Sequence, residues 1–129
     1  MPDSKQREVA AWLEKADNDL RGARIDMTAE PPLVDDALFH CQQAAEKAMK
    51  AFLVLHDVTF RKIHDLDELA TACERIDSSL APVFSPARDL TVFAWKFRYP
   101  GDSSLPPIAE VHASIDLADA VVAAVRQRS

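Results

Sequence analysis

Apolar residues along this chain recur at spacings of three and four, in long stretches separated by prolines. No stretch alternates with period two between turn residues. That pattern predicts helices and no strands. Val9, Trp12, Leu13, Ala16, Leu20, Ala23 and Met27 form one stripe and predict a first helix over 4–27. Asp3 and Gln6 are placed as a capping box at its start. Gly22 lies inside it and costs helix stability unless something packs close to it. Pro31-Pro32 ends the segment.

A second helix is predicted over 34–56. Leu38, Cys41, Ala45, Ala48, Phe52 and Leu55 make its main stripe. Ala37, Ala44 and Ala51 form another beside it, and Phe39 and Leu53 widen the apolar surface on the other flank. An arc this wide implies contacts on more than one side, so the second helix is expected at the centre. Asp35 and Asp36 suit the positive end of its dipole. Asp65 and Glu68 form an Asp-x-x-Glu start signal for a third helix whose inward residues are Leu66, Leu69, Ala70 and Cys73. After the polar break Asp77-Ser78-Ser79, Ser85-Pro86 reads as the N-cap and first turn of a fourth helix reaching Phe97. A fifth starts near Pro107, with Ile108, Val111, Ile115, Ala118, Val122 and Val125 as its stripe. Proline-punctuated helices of this kind predict an all-α bundle.

Length and charge narrow the picture. The chain has 129 residues, which predicts one domain over 1–129 with a core large enough to need no disulfide or metal. Fifteen basic and 21 acidic residues leave a formal net charge of −6. Such a chain is neither a general nucleic-acid coat nor a binder of anionic membranes, since both require a large positive field. A local basic patch stays possible. No apolar run approaches the roughly 18 residues of a spanning helix, and Met1 to Glu8 carry no signal-peptide core. A cytoplasmic protein with no membrane partner is the expectation. Cys41 and Cys73 form no CxxC and read as reduced thiols. The two glycines, Gly22 and Gly101, exclude a P-loop and a GxGxxG fingerprint.

The candidate chemistry is sparse. His40, His56, His64 and His112 are never four apart, and there is no HExxH, so neither a metal site nor a cofactor is expected. The segment from Phe39 to Leu53 is the most distinctive. Its plain reading is a core helix with an outer ion pair from Glu46 to Lys50. The sharper one turns Gln43, Lys47 and Lys50 toward a polar groove. Two short basic stretches stand out against the acidic background: Arg61-Lys62-Ile63-His64-Asp65, and Lys96-Phe97-Arg98-Tyr99-Pro100. Cations beside an aromatic ring suit a phosphate and a stacked base. Their plain reading is a tied-down loop, a helix C-cap and a packed turn.

Trp12-Leu13-Glu14-Lys15-Ala16, Asp19-Leu20, Pro31-Pro32, Phe39 through Leu53, His64-Asp65-Leu66 and Arg98-Tyr99-Pro100 follow one another in this order. Together they resemble the HEPN domain family (higher eukaryotes and prokaryotes nucleotide-binding), over nearly the whole chain. Asp57 stands where similar proteins usually carry glycine. The resemblance implies a five-helix up-and-down bundle, like the substrate-binding subunit of nucleotidyltransferases, that commonly forms a homodimer. It also implies two lines of function. Many bacterial members act beside a minimal nucleotidyltransferase, as a toxin–antitoxin or nucleotide-handling pair. Others are metal-independent ribonucleases marked by an arginine followed, after four to six residues, by histidine.

No arginine here has a histidine at that spacing: counting on from Arg61, Arg75, Arg88 and Arg98 meets none. The expectation is therefore a non-catalytic domain that binds a nucleotide or a minimal nucleotidyltransferase partner. Its binding candidates are Gln43, Lys47, Lys50, Arg61, Lys62, His64, Lys96, Arg98 and Tyr99. The alternatives are a divergent ribonuclease toxin using His64, Arg61 and Arg98, with RNA as ligand, and a purely structural interaction module.

Overall fold

A computed structural model describes residues 3–62, 65–101 and 104–129. The described residues form five α-helices and no strand: α1 (Ser4–Asp26), α2 (Val34–Leu55), α3 (Leu66–Ile76), α4 (Ala81–Ala87) and α5 (Ile108–Gln127). A 3-10 turn, Ser78–Leu80, precedes α4, and a 3-10 segment, Arg88–Ala94, extends it. The all-α bundle that the pattern predicts is the fold observed.

The start of α1 is the predicted capping box. Gln6 N donates to Asp3 Oδ1 at 2.8 Å, and Asp3 N donates to Gln6 Oε1 at 3.1 Å. This satisfies two of the amide groups that a helix start leaves without partners. The end of α2 keeps the geometry that glycine would supply. Asp57 takes the left-handed conformation at φ 59°. Val58 N bonds Leu53 O at 2.9 Å, and Asp57 N bonds Val54 O at 3.1 Å, which together make a Schellman cap. The Asp57 carboxylate accepts from Lys5 Nζ at 2.9 Å, tying the turn to the start of α1.

Helix α2 is central, as its wide apolar arc implies. It packs against α1, α3, α5 and the 3-10 segment. Ala37, Ala44, Ala45, Ala48 and Ala51 are all fully buried, as are Met49 and Cys41. The alanine stripe is thus consumed inside the protomer.

The third and fourth helices depart from expectation in detail. Asp65 caps α3 by accepting from Asp67 N at 2.9 Å, but Glu68 does not turn back to close a capping box. It accepts from Arg61 instead, at 3.3 Å. Ser85-Pro86 is not a helix start. Asp77 caps the preceding turn by accepting from Ser79 N at 3.0 Å, α4 begins at Ala81, and Pro86 lies inside it. Leu80, Phe84, Ala87 and Leu90 recur at helical spacing straight across that proline, and all are buried. Burying that stripe outweighs the backbone bond that Pro86 cannot donate. The last turns tighten to 3-10 geometry and stop at Ala94 rather than Phe97.

Phe52 is 1% exposed on the central helix. Phe52→Ala is expected to destabilise the protein by about 3–5 kcal/mol through the cavity it leaves, read from urea midpoints. Cys41 and Cys73 are free and fully buried. Burial pushes both thiols up to about 12. Neither is then expected to react with Ellman's reagent at pH 8 until the protein is unfolded, when both react.

Candidate functional site

Two polar edges run along α2. Asp36, His40, Gln43 and Lys47 follow a four–three–four spacing, so they share one edge. Gln42, Glu46 and Lys50 share the neighbouring edge, four apart. Helix α1 offers Asp19, Gly22 and Asp26 at spacings of three and four. The packing of α1 on α2 brings the first edge and these α1 residues together in one polar seam.

His40 is the hub of the seam. A carboxylate can only accept, so His40 donates Nδ1–H to Asp19 Oδ1, at 2.9 Å. Lys47 Nζ donates to the other Asp19 oxygen at 2.6 Å. Asp19 is 8% exposed, so this shared carboxylate is nearly withdrawn from water. The far ring nitrogen, Nε2, lies 3.6 Å from Asp36 Oδ2 and 3.8 Å from Asp26 Oδ2. Gly22 makes room for the ring: a Cβ there would lie 3.0 Å from Nε2. That close approach is the reason a helix interior holds a glycine. Burial, together with the neighbouring Asp36 carboxylate, pushes the Asp26 carboxyl up to about 6. Arg98 closes the seam. Its guanidinium carbon sits 4.1 Å from the centre of the Phe39 ring, and its NH1 lies 3.6 Å from Asp36 Oδ1.

The second edge is internal. Gln43 Nε2 donates to Gln42 Oε1 at 2.7 Å, Gln42 Nε2 to Glu46 Oε1 at 3.1 Å, and Lys50 Nζ to Glu46 Oε2 at 3.1 Å. Lys50 also lies 5.6 Å from the Trp12 ring and 5.7 Å from the Phe60 ring. Gln42, Glu46 and Lys50 are all buried. Lys50 therefore does not face a solvent groove, and Glu46–Lys50 is not an outer ion pair as the sequence suggested. The wide apolar arc draws both groups inside, where each neutralises the other.

The structure scatters the remaining candidates. Lys47 joins the seam, and Gln43 bridges to the internal ladder. Arg61 and Lys62 are exposed beyond the end of α2. Arg61 lines an open hollow of about 810 Å³ with Phe60, Asp65, Glu68, Thr71 and Arg75. Its pairing with Glu68 and the three carboxylates around it, Asp65, Asp67 and Glu68, make that hollow a poor anion site. His64 lies outside the described residues. Arg61 is held by Glu68 on α3, and Arg98 by Asp36 on α2, so the two arginines have different anchors.

Beyond α4 the chain displays cations and aromatic rings in alternation. Trp95 is 61% and Tyr99 72% exposed. Lys96 Nζ sits 5.1 Å from the Phe97 ring centre. Phe97 takes a left-handed conformation, φ 66°, where the chain leaves the 3-10 segment. A base can stack on such rings while the cations face its phosphate.

Sequence reasoning passed over Asp19, Asp26, Asp36 and His40 as members of a site, and passed over Trp95. The polar edge Asp36–His40–Gln43–Lys47 was a usable signal on α2. Its α1 partners were not readable, because nothing in the spacing of α1 says which face of α2 it meets.

The description "HEPN domain" belongs to a family model that matches residues 9–128. Neither the curated proteins nor the solved structures contain a match. No helix among the described residues is long and apolar enough to cross a membrane.

Asp19 is the shared acceptor of the seam, and its loss strands His40 and Lys47 together. Asp19→Ala is expected to lower stability by about 2–4 kcal/mol. His112→Ala, at an exposed position of α5, is expected to change it by less than about 0.5 kcal/mol. Paired urea titrations check both.

Proposed function

This chain belongs to the HEPN domain family, and from that premise we propose that it is a non-catalytic binding domain for a nucleotide, presented alone or by a minimal nucleotidyltransferase partner. The observation that carries the reading is the strip Trp95–Tyr99. It combines an exposed indole and an exposed phenol with two cations already poised over aromatic rings. Arg98 is the main phosphate contact. Its planar guanidinium, stacked on Phe39, keeps N–H groups at its edge for an anion, and Asp36 holds it only at 3.6 Å. Lys96 and Tyr99 flank it, and Lys47 anchors the adjoining seam through Asp19.

Two observations favour binding over catalysis. The family's arginine–histidine spacing is missing from the sequence. In-line RNA cleavage needs a proton carrier and a cation converging on one phosphate, and Arg61 and Arg98 are held by separate carboxylates on separate helices. The family resemblance supports, as the proposed partner, a minimal nucleotidyltransferase in a toxin–antitoxin-type pair, and a homodimer as the proposed assembly. The apolar arc of α2 is used within the protomer, so a dimer interface draws on other surface. Ile25 and Leu33, which flank the α1–α2 connection and are 55% and 50% exposed, are the candidates.

Quenching of tryptophan fluorescence by AMP and ATP tests the ligand reading, with Trp12→Phe protein isolating the Trp95 signal. Saturable quenching is expected, with affinity reduced at least tenfold in Arg98→Ala, as befits a lost charged contact. Failure of both nucleotides to quench Trp95 overturns it. The same preparation is expected to leave RNA intact without added metal. Cleavage abolished by His64→Ala would establish the ribonuclease alternative. Light scattering across a dilution series reads the assembly, where a monomer at high micromolar concentration rejects the homodimer.

A further inference from the structure

We infer that Asp26, Asp36 and His40 form a binding site for one divalent transition-metal ion of the zinc class, between the end of α1 and the start of α2. One donor atom from each of the three lies within 4.8 Å of the other two. The imidazole is oriented for the task. Asp19 accepts the Nδ1 proton, so the ring nitrogen left to meet an ion is Nε2, which faces Asp26 and Asp36. Lys47 holds Asp19 from its other oxygen. A histidine fixed through its far nitrogen by a carboxylate is the usual support behind a metal-ligating imidazole.

A second observation points to an occupant. Asp26 is 9% exposed, and its Oδ2 is closed off from solvent with no donor bonded to it; the group set against this carboxyl is Asp36, a second acceptor. Asp26 Oδ2 lies 3.8 Å from His40 Nε2, and Asp36 Oδ2 lies 3.6 Å from the same nitrogen. Both separations are too long for a hydrogen bond. Two ligands on a tetrahedral ion at about 2.0–2.1 Å stand roughly 3.3 Å apart, so each oxygen has to approach the nitrogen by about half an ångström or less. Asp36, whose side chain is 46% exposed, is free to make that movement.

The donor set selects the kind of ion. Two carboxylates and a neutral imidazole carry two negative charges, which a divalent ion cancels. A nitrogen among the donors favours zinc-like ions over magnesium and calcium, which prefer oxygen alone. Three protein ligands leave at least one position open. Arg98 lies by the other oxygen of Asp36 and does not occupy this space. Filling the site also cancels carboxylate charge beside Arg98. The site stands or falls by metal binding alone, independently of the nucleotide reading.

Untagged protein, stripped with EDTA and dialysed, is titrated with zinc chloride by calorimetry and followed by thermal melting. One zinc ion per chain is expected, with a melting point raised by several degrees at saturation. Magnesium is expected to produce no shift. Asp36→Asn and His40→Gln should each weaken zinc binding at least tenfold, and His112→Ala should leave it unchanged. Asp19→Asn should weaken it about tenfold while Co²⁺ loaded into the same site keeps its visible absorption, as expected of a positioning residue. Asp36 is half exposed, so Asp36→Asn retains the fold and decides the matter even if His40→Gln does not. No zinc binding by the wild-type protein, or binding that Asp36→Asn leaves unaltered, overturns the site.

Discussion

The helix that α1, α3, α5 and the 3-10 segment all pack against is also rich in charge, and its charges must be neutralised where they lie. Helix α2 buries Glu46 and Lys50 in the same span that buries Ala44, Ala45, Ala48 and Met49. An isolated charge in such a place is costly, so the ladder Gln43–Gln42–Glu46–Lys50 is a condition of the core and not an ornament on it. Trp12 and Phe60 complete the enclosure of the Lys50 ammonium. Replacing Glu46 leaves the Lys50 ammonium buried without its carboxylate, the costliest way to perturb such a network.

The same constraint produces the seam. Where α1 crosses the start of α2, no apolar face separates Asp19, Asp26, Asp36, His40 and Lys47. The acids outnumber the bases, and His40 and Lys47 both converge on Asp19. That leaves Asp26 and Asp36 facing one ring nitrogen across gaps that no hydrogen bond spans. Gly22 is part of this arrangement, since the imidazole occupies the space a side chain would need. A residue that weakens the helix locally thus permits the one close contact on which the seam's geometry rests.

Beside this negatively charged seam lies a cationic, aromatic strip. An acidic chain can hold an anion only where its positive groups escape its own carboxylates. Arg61 does not escape, since Glu68 engages it within an acid-lined hollow. Arg88 does not either, because Asp67, Thr71 and Glu74 absorb its donors and pin α3 to the 3-10 segment. Lys96 sits over a ring instead, which leaves its charge available at the surface, and Arg98 stacks on Phe39 with Asp36 no nearer than 3.6 Å, beyond hydrogen-bond reach.

The sequence by itself determined the helices, the central place of α2 and the caps at Asp3, Asp57 and Asp65. These follow from short-range periodicity and from side chains reaching backbone a few residues away. It misplaced the start of α4, because a local proline rule competed with the stripe Leu80, Phe84, Ala87 and Leu90, and burial against the rest of the bundle won. Only the tertiary structure decided which charges on α2 are internal. The residues are polar on two adjacent edges of one helix, and which edge meets a neighbour depends on how α1 and α5 are set against it. It likewise decided that Asp26, near the end of one helix, meets His40 on the next. A rotation of α1 by one residue, about 100°, would have pointed the same carboxylate elsewhere with no change in any local preference.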